Sequence, residues 1–492
     1  MSQELPPVSG PLKILSITAQ KPHSTGSGVY LTELVQALSL RGCRQAVLAG
    51  VCRDDSVCFP DGVSFYPVYY QSEQLPFPIC GMSDEMPYES TRYQDLTPEM
   101  TEQFLTAFKA SLNRALAEFQ PDVILCHHLY LLTALAREMT LPSGSADSSN
   151  IRPKVAGICH GSDLRQFKKN PLARDYIREQ IRNLDTIWCL HREQKQEILR
   201  LFQCSPDKVQ ILGTGYNSRI FKKAELTAGQ TQNSENGGQS FPASSASSAP
   251  IRLIFAGKLS EKKGVKSLLR SLRLLPPDLA KRLSLTLAGG WGNEREFQEI
   301  RQLADPSHGC PCPVDFPGRL SQTELARQMN QSDLFILPSF YEGLPLVLIE
   351  ALACGLRPIC TDLPGIRPWM DENVPGHGII FVKPPVMENE DEPEAGSLPA
   401  FEAELAAAVA QAALDVQSLR NAAVQSLQNV SVQSPQSNPS SQSAQKNPAM
   451  PERLAASLQN LSWDGLCGQL LEHIAEKQSE SAIKNERYEN EV

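Results

Sequence analysis

The pattern that most constrains this chain is an alternation of short apolar runs with amphipathic stretches that occurs twice, on either side of a segment too polar to fold. In the front half, residues 12–17, 45–49, 122–126, 154–159, 186–190 and 208–212 read as strands, and 31–40, 101–119 and 172–184 carry helical periodicity. Residues 227–250 are then almost entirely Ser, Gln, Asn, Gly and Ala. Such a stretch buries too little apolar surface to offset its ordering entropy, so it reads as a linker or exposed insertion. The alternation restarts with strands at 251–255, 283–287, 314–316, 334–337, 357–360 and 379–382, and helices beginning near Lys266, Asn293, Ser321, Pro345 and Phe401. Strand–helix alternation predicts parallel sheets with helices on both faces, here as two doubly wound α/β lobes.

A length of 492 residues also exceeds a single core. The expected division is a first domain over 1–222, a linker over 223–250 and a second domain over 251–452. An acidic, Pro-rich insertion is expected at 384–399, a helix at about 453–476 packing back on the first domain, and a polar tail over 477–492. Residues 431–448, rich in Ser, Gln and Asn, read as another solvated loop.

The net charge of −9 argues against a non-specific nucleic-acid partner. No apolar stretch reaches the roughly 18–20 residues of a membrane span; the longest, at 123–136, is interrupted by His127 and His128. With no targeting pattern in residues 1–11, a cytoplasmic location is expected. The 13 cysteines are scattered, several inside apolar runs (Cys126, Cys159, Cys189, Cys354, Cys360), as buried free thiols would be. His308, Cys310 and Cys312 lack the second ligand pair of a zinc site.

Two clusters in the second half carry chemistry. In the first, a strand is followed by Gly257-Lys258 and then Lys262-Lys263-Gly264 before a helix; lysines in a glycine-bounded loop suit a diphosphate, although a solvated Lys/Glu turn would read the same way. In the second, the strand at 334–337 leads through Glu342-Gly343-Leu344 to Pro345, expected at the first position of a helix that Gly355 stops. Glu350 falls inside that apolar helix. It either faces solvent or is buried with a strong partner, such as a ribose diol beside a phosphate at the helix N-terminus.

Together the two clusters resemble glycosyltransferase family 4, enzymes of the GT-B fold. Tyr341-Glu342-Gly343-Leu344 through Glu350 matches a two-glutamate signature with seven residues between the carboxylates, and Lys258 and Lys263 match a basic pair five positions apart. The resemblance runs from about Leu12 to Ile474. It adds Gly318 and Arg319, in the loop that usually contacts the base, and Ser462-Trp463 in the final helix. Where the family usually has Arg, Lys258 keeps the charge and loses the bidentate fork.

The resemblance implies two Rossmann-like domains facing a central cleft. It also implies a retaining, metal-independent, cofactor-free transfer of a sugar from a nucleoside-diphosphate-sugar donor to a hydroxyl acceptor. Lys258, Lys263 and the backbone N–H groups of Gly343 and Leu344 would stabilise the leaving diphosphate, Glu342 would orient the sugar and Glu350 the ribose. Rival readings are a sugar phosphorylase or nucleotide-sugar epimerase on the same fold, and a non-catalytic sugar-binding scaffold.

In the first half, Gly26 and Gly28 lie in a loop after the first strand, where glycines let backbone N–H groups approach a phosphate; Thr25 stands where the family commonly has a glycine. His160, with Asp163 three residues on, follows another strand. The resemblance sets His160 beside the anomeric carbon; a structural capping role, with Ser162 or Asp163 starting a helix, is the competing reading. His128, which ends a strand, and Asp163 are acceptor-side candidates. The irregular stretch 75–91 is long enough to be functional and is read as an acceptor wall through Asp84 and Tyr88. The basic residues Arg165, Lys168, Lys169, Arg174, Arg178 and Arg182 fit either peripheral contact with anionic headgroups at the inner face of a membrane or a solvated helix face.

Overall fold

The computed structural model describes residues 10–83, 86–141, 152–224, 249–389, 392–432 and 451–476. Asp84, nearly all of the polar stretch 227–250, most of 431–448 and the tail from 477 lie outside the described residues. The chain forms two compact units, one of Met1–Tyr216 with Asn460–Val492 and one of Asn217–Gln459.

The first unit holds β1 (Lys13–Thr18), β2 (Arg44–Val51), β3 (Ser64–Tyr69), β4 (Ile79–Gly81), β5 (Ser90–Arg92), β6 (Val123–His127), β7 (Lys154–Ile158), β8 (Thr186–Cys189) and β9 (Val209–Ile211). Seven strands make one sheet in the order β3-β2-β1-β6-β7-β8-β9, and β4 pairs with β5 alone. Every pairing is parallel. Strands covered by helices on both faces become unbroken apolar runs, and β6 and β8 are buried along their whole length.

Several elements differ from the sequence reading. β3 escapes a pattern search because Pro67 interrupts it, and proline is tolerated there because β3 is an edge strand. The apolar run 123–136 is β6, a tight turn in which His128 has φ 74°, and a helix Leu131–Met139. The first helix begins at Gly26, five residues early, because the Thr25 hydroxyl accepts the Gly28 N–H. The helix expected over 172–184 is Arg174–Arg182, preceded by a separate helix Ser162–Lys169. The helix expected over 453–476 is two: Glu452–Asn460 and residues 463–476. The break falls where the Tyr216 N–H donates to the Leu461 carbonyl and the Trp463 N–H to the Tyr216 carbonyl, both at 3.1 Å. The second of the two helices packs in the first unit. Trp463 lies against Gly215 and meets Tyr30 edge-on at 4.9 Å, and Asp464 pairs with Arg41.

The second unit holds β10 (Ile251–Ala256), β11 (Leu283–Ala288), β12 (Val314–Gly318), β13 (Leu334–Leu337), β14 (Arg357–Thr361) and β15 (Ile380–Val382), parallel in the order β12-β11-β10-β13-β14-β15. In each sheet the chain first winds one way and then returns to the other side of its first strand. The switch points are therefore β1/β6 and β10/β13, where loops diverge and open α/β sheets gather ligands. Among the described residues of the acidic segment 384–399, Met387 bridges Pro393, and Glu392 reaches within 4.0 Å of Lys262.

All 13 cysteines are free thiols. Cys310 and Cys312 are buried with the Cys310 sulfur 3.4 Å from the Cys312 carbonyl, and His308 faces Asp305. Among the described residues no helix is long and apolar enough to cross a membrane.

Candidate functional site

In the second unit, the loops leaving β10 and β13 meet at the switch point. Lys263 Nζ donates to Glu342 Oε1 at 2.6 Å, and Ser339 Oγ donates to the same oxygen at 2.7 Å. Among the described residues no donor reaches Oε2. The two loops are joined by the Phe340 N–H, which donates to the Lys262 carbonyl at 3.0 Å, and by Gly264, which has φ 70°. A Cβ on Gly264 would lie 2.0 Å from the Pro338 carbonyl oxygen, so only glycine permits this approach. The basic loop and the carboxylate loop are thus one rigid piece, and the cation and carboxylate neutralise one another.

A second junction joins Gly257 and Gly318 to Gly289 and Gly290, a pair that the sequence reading passed over. The Gly257 N–H donates to the Ala288 carbonyl, the Leu259 N–H to the Gly290 carbonyl, and the Gly289 N–H to the Gly318 carbonyl, each at 2.9 Å. A Cβ on Gly289 would sit 1.7 Å from the Gly257 oxygen, and one on Gly290 would meet the Arg319 side chain at 2.6 Å. Gly318 is the last residue of β12 rather than a loop residue, and the Arg319 side chain lies against Gly290. The signal was available: paired glycines directly after a strand mark a close backbone approach.

Glu350 is buried at 8% exposure in the helix Leu346–Ala353, which decides between its two readings against the solvent-facing one. Pro345 caps that helix from outside instead of occupying its first turn. Gly343 and Leu344 immediately precede the cap. The helix has no side-chain N-cap and no acidic residue in its first turn, an arrangement that suits an anion. Lys258 lies half-buried at the opposite end of the basic loop from Lys263.

In the first unit, the loops after β6 and β7 bring three histidines together. His127 Nδ1 and His160 Nε2 are 3.1 Å apart, the His128 ring is 4.8 Å from that of His160, and Tyr30 meets His160 edge-on at 5.1 Å. Burial depresses all three pKa values, to about 3 for His127 and well below the usual range for His160, with the neighbouring imidazoles adding repulsion in both. For His128, burial outweighs the opposing pull of Asp163. Tyr30, the residue on which this cluster rests, was not flagged by the sequence.

These shifts fix a sign. Each ring is neutral when folded and free to protonate when unfolded, so its stabilising contribution is complete above about pH 6.5 and is lost as pH falls towards the folded value. Between pH 6 and pH 4 the free energy of unfolding should fall, with a slope from His127 alone approaching about 1.4 kcal/mol per pH unit. Urea midpoints across that range check this, and a flat profile would show that the rings are not buried neutral.

Other first-unit candidates land differently. Gly26 opens the first helix with space around it, whereas the Gly28 N–H is taken by Thr25 and is not free for a phosphate. Gly28 is instead needed for close packing, since a Cβ there would be 2.9 Å from the Lys21 carbonyl oxygen. Asp163 is fully buried, accepting from the Leu129 N–H at 2.7 Å and from the Cys159 thiol at 3.4 Å, so it braces two loops and faces no acceptor. Tyr88 has a buried hydroxyl and a ring 5.1 Å from the Lys21 ammonium, itself paired with Asp55 at 2.5 Å. The basic group is largely engaged internally: Arg174 and Arg182 donate to backbone carbonyls, Arg178 to the Leu201 carbonyl and to Asp175, and Lys168 to Glu197. Little of it remains for a headgroup surface.

Known proteins share this organisation. Residues 24–219 match the family profile described as Glycosyltransferase Family 4, and 239–390 match the one described as Glycosyl transferases group 1. The chain is 24% identical over 294 residues to the serotype-specific mannosyltransferase WbdA of Escherichia coli, covering 56% of this chain and 33% of that relative, about a third of its length. It is 25% identical over 377 residues to a D-inositol 3-phosphate glycosyltransferase of Streptomyces coelicolor, covering 72% and 77%. Among solved structures, Anabaena HepE in complex with UDP and glucose superposes with a TM-score of 0.59 at 14% identity, covering 94% of this chain and 99% of that one.

Proposed function

This chain belongs to glycosyltransferase family 4, with the GT-B fold, and from that premise we propose that it moves a sugar from a nucleoside-diphosphate-sugar donor to a hydroxyl of a glycan, lipid or small molecule, with retention at the anomeric carbon. The observation that carries the proposal is the Lys263–Glu342 couple at the β10/β13 switch point. A diphosphate arriving there exchanges one anionic partner of Lys263 for another and frees Glu342, whose second oxygen is already open, to accept from sugar hydroxyls.

In this reading Lys258, Lys263 and the N–H groups of Gly343 and Leu344 stabilise charge on the departing diphosphate. Glu350 holds the ribose, and Gly318 with Arg319 borders the base. Gly26 and His160 belong to the sugar side. The leaving phosphate takes the acceptor proton on the face it departs from, so no protein nucleophile and no cofactor is required. The two ammonium groups supply the charge that a metal would otherwise bring. Relatives named for mannosyl and inositol phosphate glycosyl transfer, and a fold neighbour solved with UDP and glucose, support a nucleotide-sugar donor. The buried free thiols support a reducing, cytoplasmic setting.

The test is a thermal-shift screen against UDP-, GDP- and ADP-sugars, followed by turnover of any hit. A ligand at 100 times its dissociation constant adds about 2.7 kcal/mol of stability. Nucleoside diphosphate should be released only when an acceptor is present, chelator should leave the rate intact, and the product should keep the donor's anomeric configuration. Release of a sugar phosphate, or isomerisation of the donor without release, would replace this reading with phosphorylase or epimerase.

A further inference from the structure

The histidine cluster of the first unit specifies a proton position. His127 and His160 have rings within 13° of parallel, with centroids 5.3 Å apart and facing nitrogens only 3.1 Å apart. The rings therefore meet nitrogen to nitrogen, edge against edge, and one of the two nitrogens must carry the hydrogen between them. Both rings are neutral, so each has a single N–H to place.

The other nitrogen of His127 decides which ring donates. His127 Nε2 is sealed from solvent and has no partner among the described residues. If His160 donated through Nε2–H, the His127 proton would sit on Nε2 as a buried, unpaired N–H. If His127 donates through Nδ1–H, only a lone pair is left without a partner on its far side. Orphaned buried N–H groups are much the rarer of the two, because a donor stripped of water loses its full hydration with nothing in return. The second arrangement places the His160 proton on Nδ1. That nitrogen is absent from the sealed, unpartnered atoms of this unit, and among the described residues no acceptor takes it. It is the open side of the ring. The edge of Tyr30 at 5.1 Å and the ring of His128 at 4.8 Å hold the imidazole in this orientation.

We propose that His127 is a positioning residue that locks His160 in the Nδ1–H tautomer, so that His160 meets a bound sugar or phosphate oxygen as a hydrogen-bond donor and not as a base. The identity of the bound oxygen rests on the proposed function; the tautomer does not.

The test labels the full chain with 15N-histidine and reads the imidazole nitrogens by long-range proton correlation at pH 7, assigning signals with His127→Gln and His160→Gln. In the wild-type protein His160 should show a pyrrole-type Nδ1 and a pyridine-type Nε2. His127→Phe, close in volume and checked for a cooperative melt, should release His160 to the other tautomer or to a mixture. His127→Asn should restore the first form, because its amide N–H stands where the Nδ1–H donor stood. Turnover should follow the spectra: kcat falls about 10-fold or more in His127→Phe with the donor KM little changed, and recovers in His127→Asn, a loss of the size seen when the outer partner of a metal-ligating histidine is removed. A wild-type His160 protonated on Nε2 overturns the proposal, and so does an unaltered kcat in His127→Phe. If no nucleotide-sugar is turned over under any condition, the proposed function fails, while the nitrogen spectra still decide the tautomer.

Discussion

Lys263→Ala should lower turnover by about 100- to 1,000-fold, the usual loss when one preorganised electrostatic contact to a developing negative charge is removed. The fold should barely register the change. The Lys263–Glu342 pair is partly open, with side-chain exposures of 30% and 14%, and Ser339 still donates to the same carboxylate oxygen once the lysine is gone. Pairs of this kind contribute at most about 1 kcal/mol to folding. The neighbouring Lys262 is the internal control. It is more exposed, at 40%, and lies 4.0 Å from Glu392, so Lys262→Ala should leave both rate and melting temperature close to wild type. Parallel kcat and thermal-melt measurements on the two variants separate the roles, and a Lys263→Ala protein working at the wild-type rate would remove Lys263 from the mechanism.

Gly264→Ala should damage the protein as a folded object as well as an enzyme. Its added methyl would stand 2.0 Å from the Pro338 carbonyl oxygen, a backbone atom with no rotamer to escape into, at a residue with φ 70°. Left-handed strain of about 1–2 kcal/mol and overpacking of about 1–3 kcal/mol predict a combined loss of roughly 2–5 kcal/mol. Because Gly264 fixes the basic loop against the carboxylate loop, whatever protein folds should also have lost most of its turnover. Gly309 isolates the backbone part, since it has φ 88° with nothing within 4 Å of an added Cβ. Gly309→Ala should cost only the left-handed term and keep its activity. Denaturant unfolding of the two variants should therefore differ by the overpacking contribution; equal losses would mean that the Gly264 contact relaxes freely.

The alternation of apolar runs sets both parallel sheets, and the Lys263 and Glu342 positions are readable because strand, loop and helix succeed one another with fixed spacing. Glu350 illustrates where that legibility stops. Local pattern places it within an apolar helix but leaves its facing open, since the same periodicity serves a solvent-facing and a buried carboxylate; packing against the sheet decides for burial. Asp163 reads as an acceptor ligand until the fold brings the Leu129 N–H, 34 residues away in sequence, onto its oxygen. Gly28 reads as a phosphate contact until Thr25 takes its N–H. The Asp163 partner is supplied by another segment, whereas Gly28 is claimed by a helix cap three residues earlier.

Sequence alone thus determined the class of fold, the two repeats of strand and helix, and the two loops that carry the cation and the carboxylate, because these follow from hydrophobic period and local turn chemistry. The tertiary structure decided the pairing of Lys263 with Glu342 across 79 residues and the stitching of three neighbouring strand ends through Gly257, Gly289 and Gly318. It also decided the contact of His127 with His160 at 3.1 Å. Contacts of that kind depend on which strands lie side by side, and strand order at a switch point is a property of the assembled sheet and of no local stretch of chain.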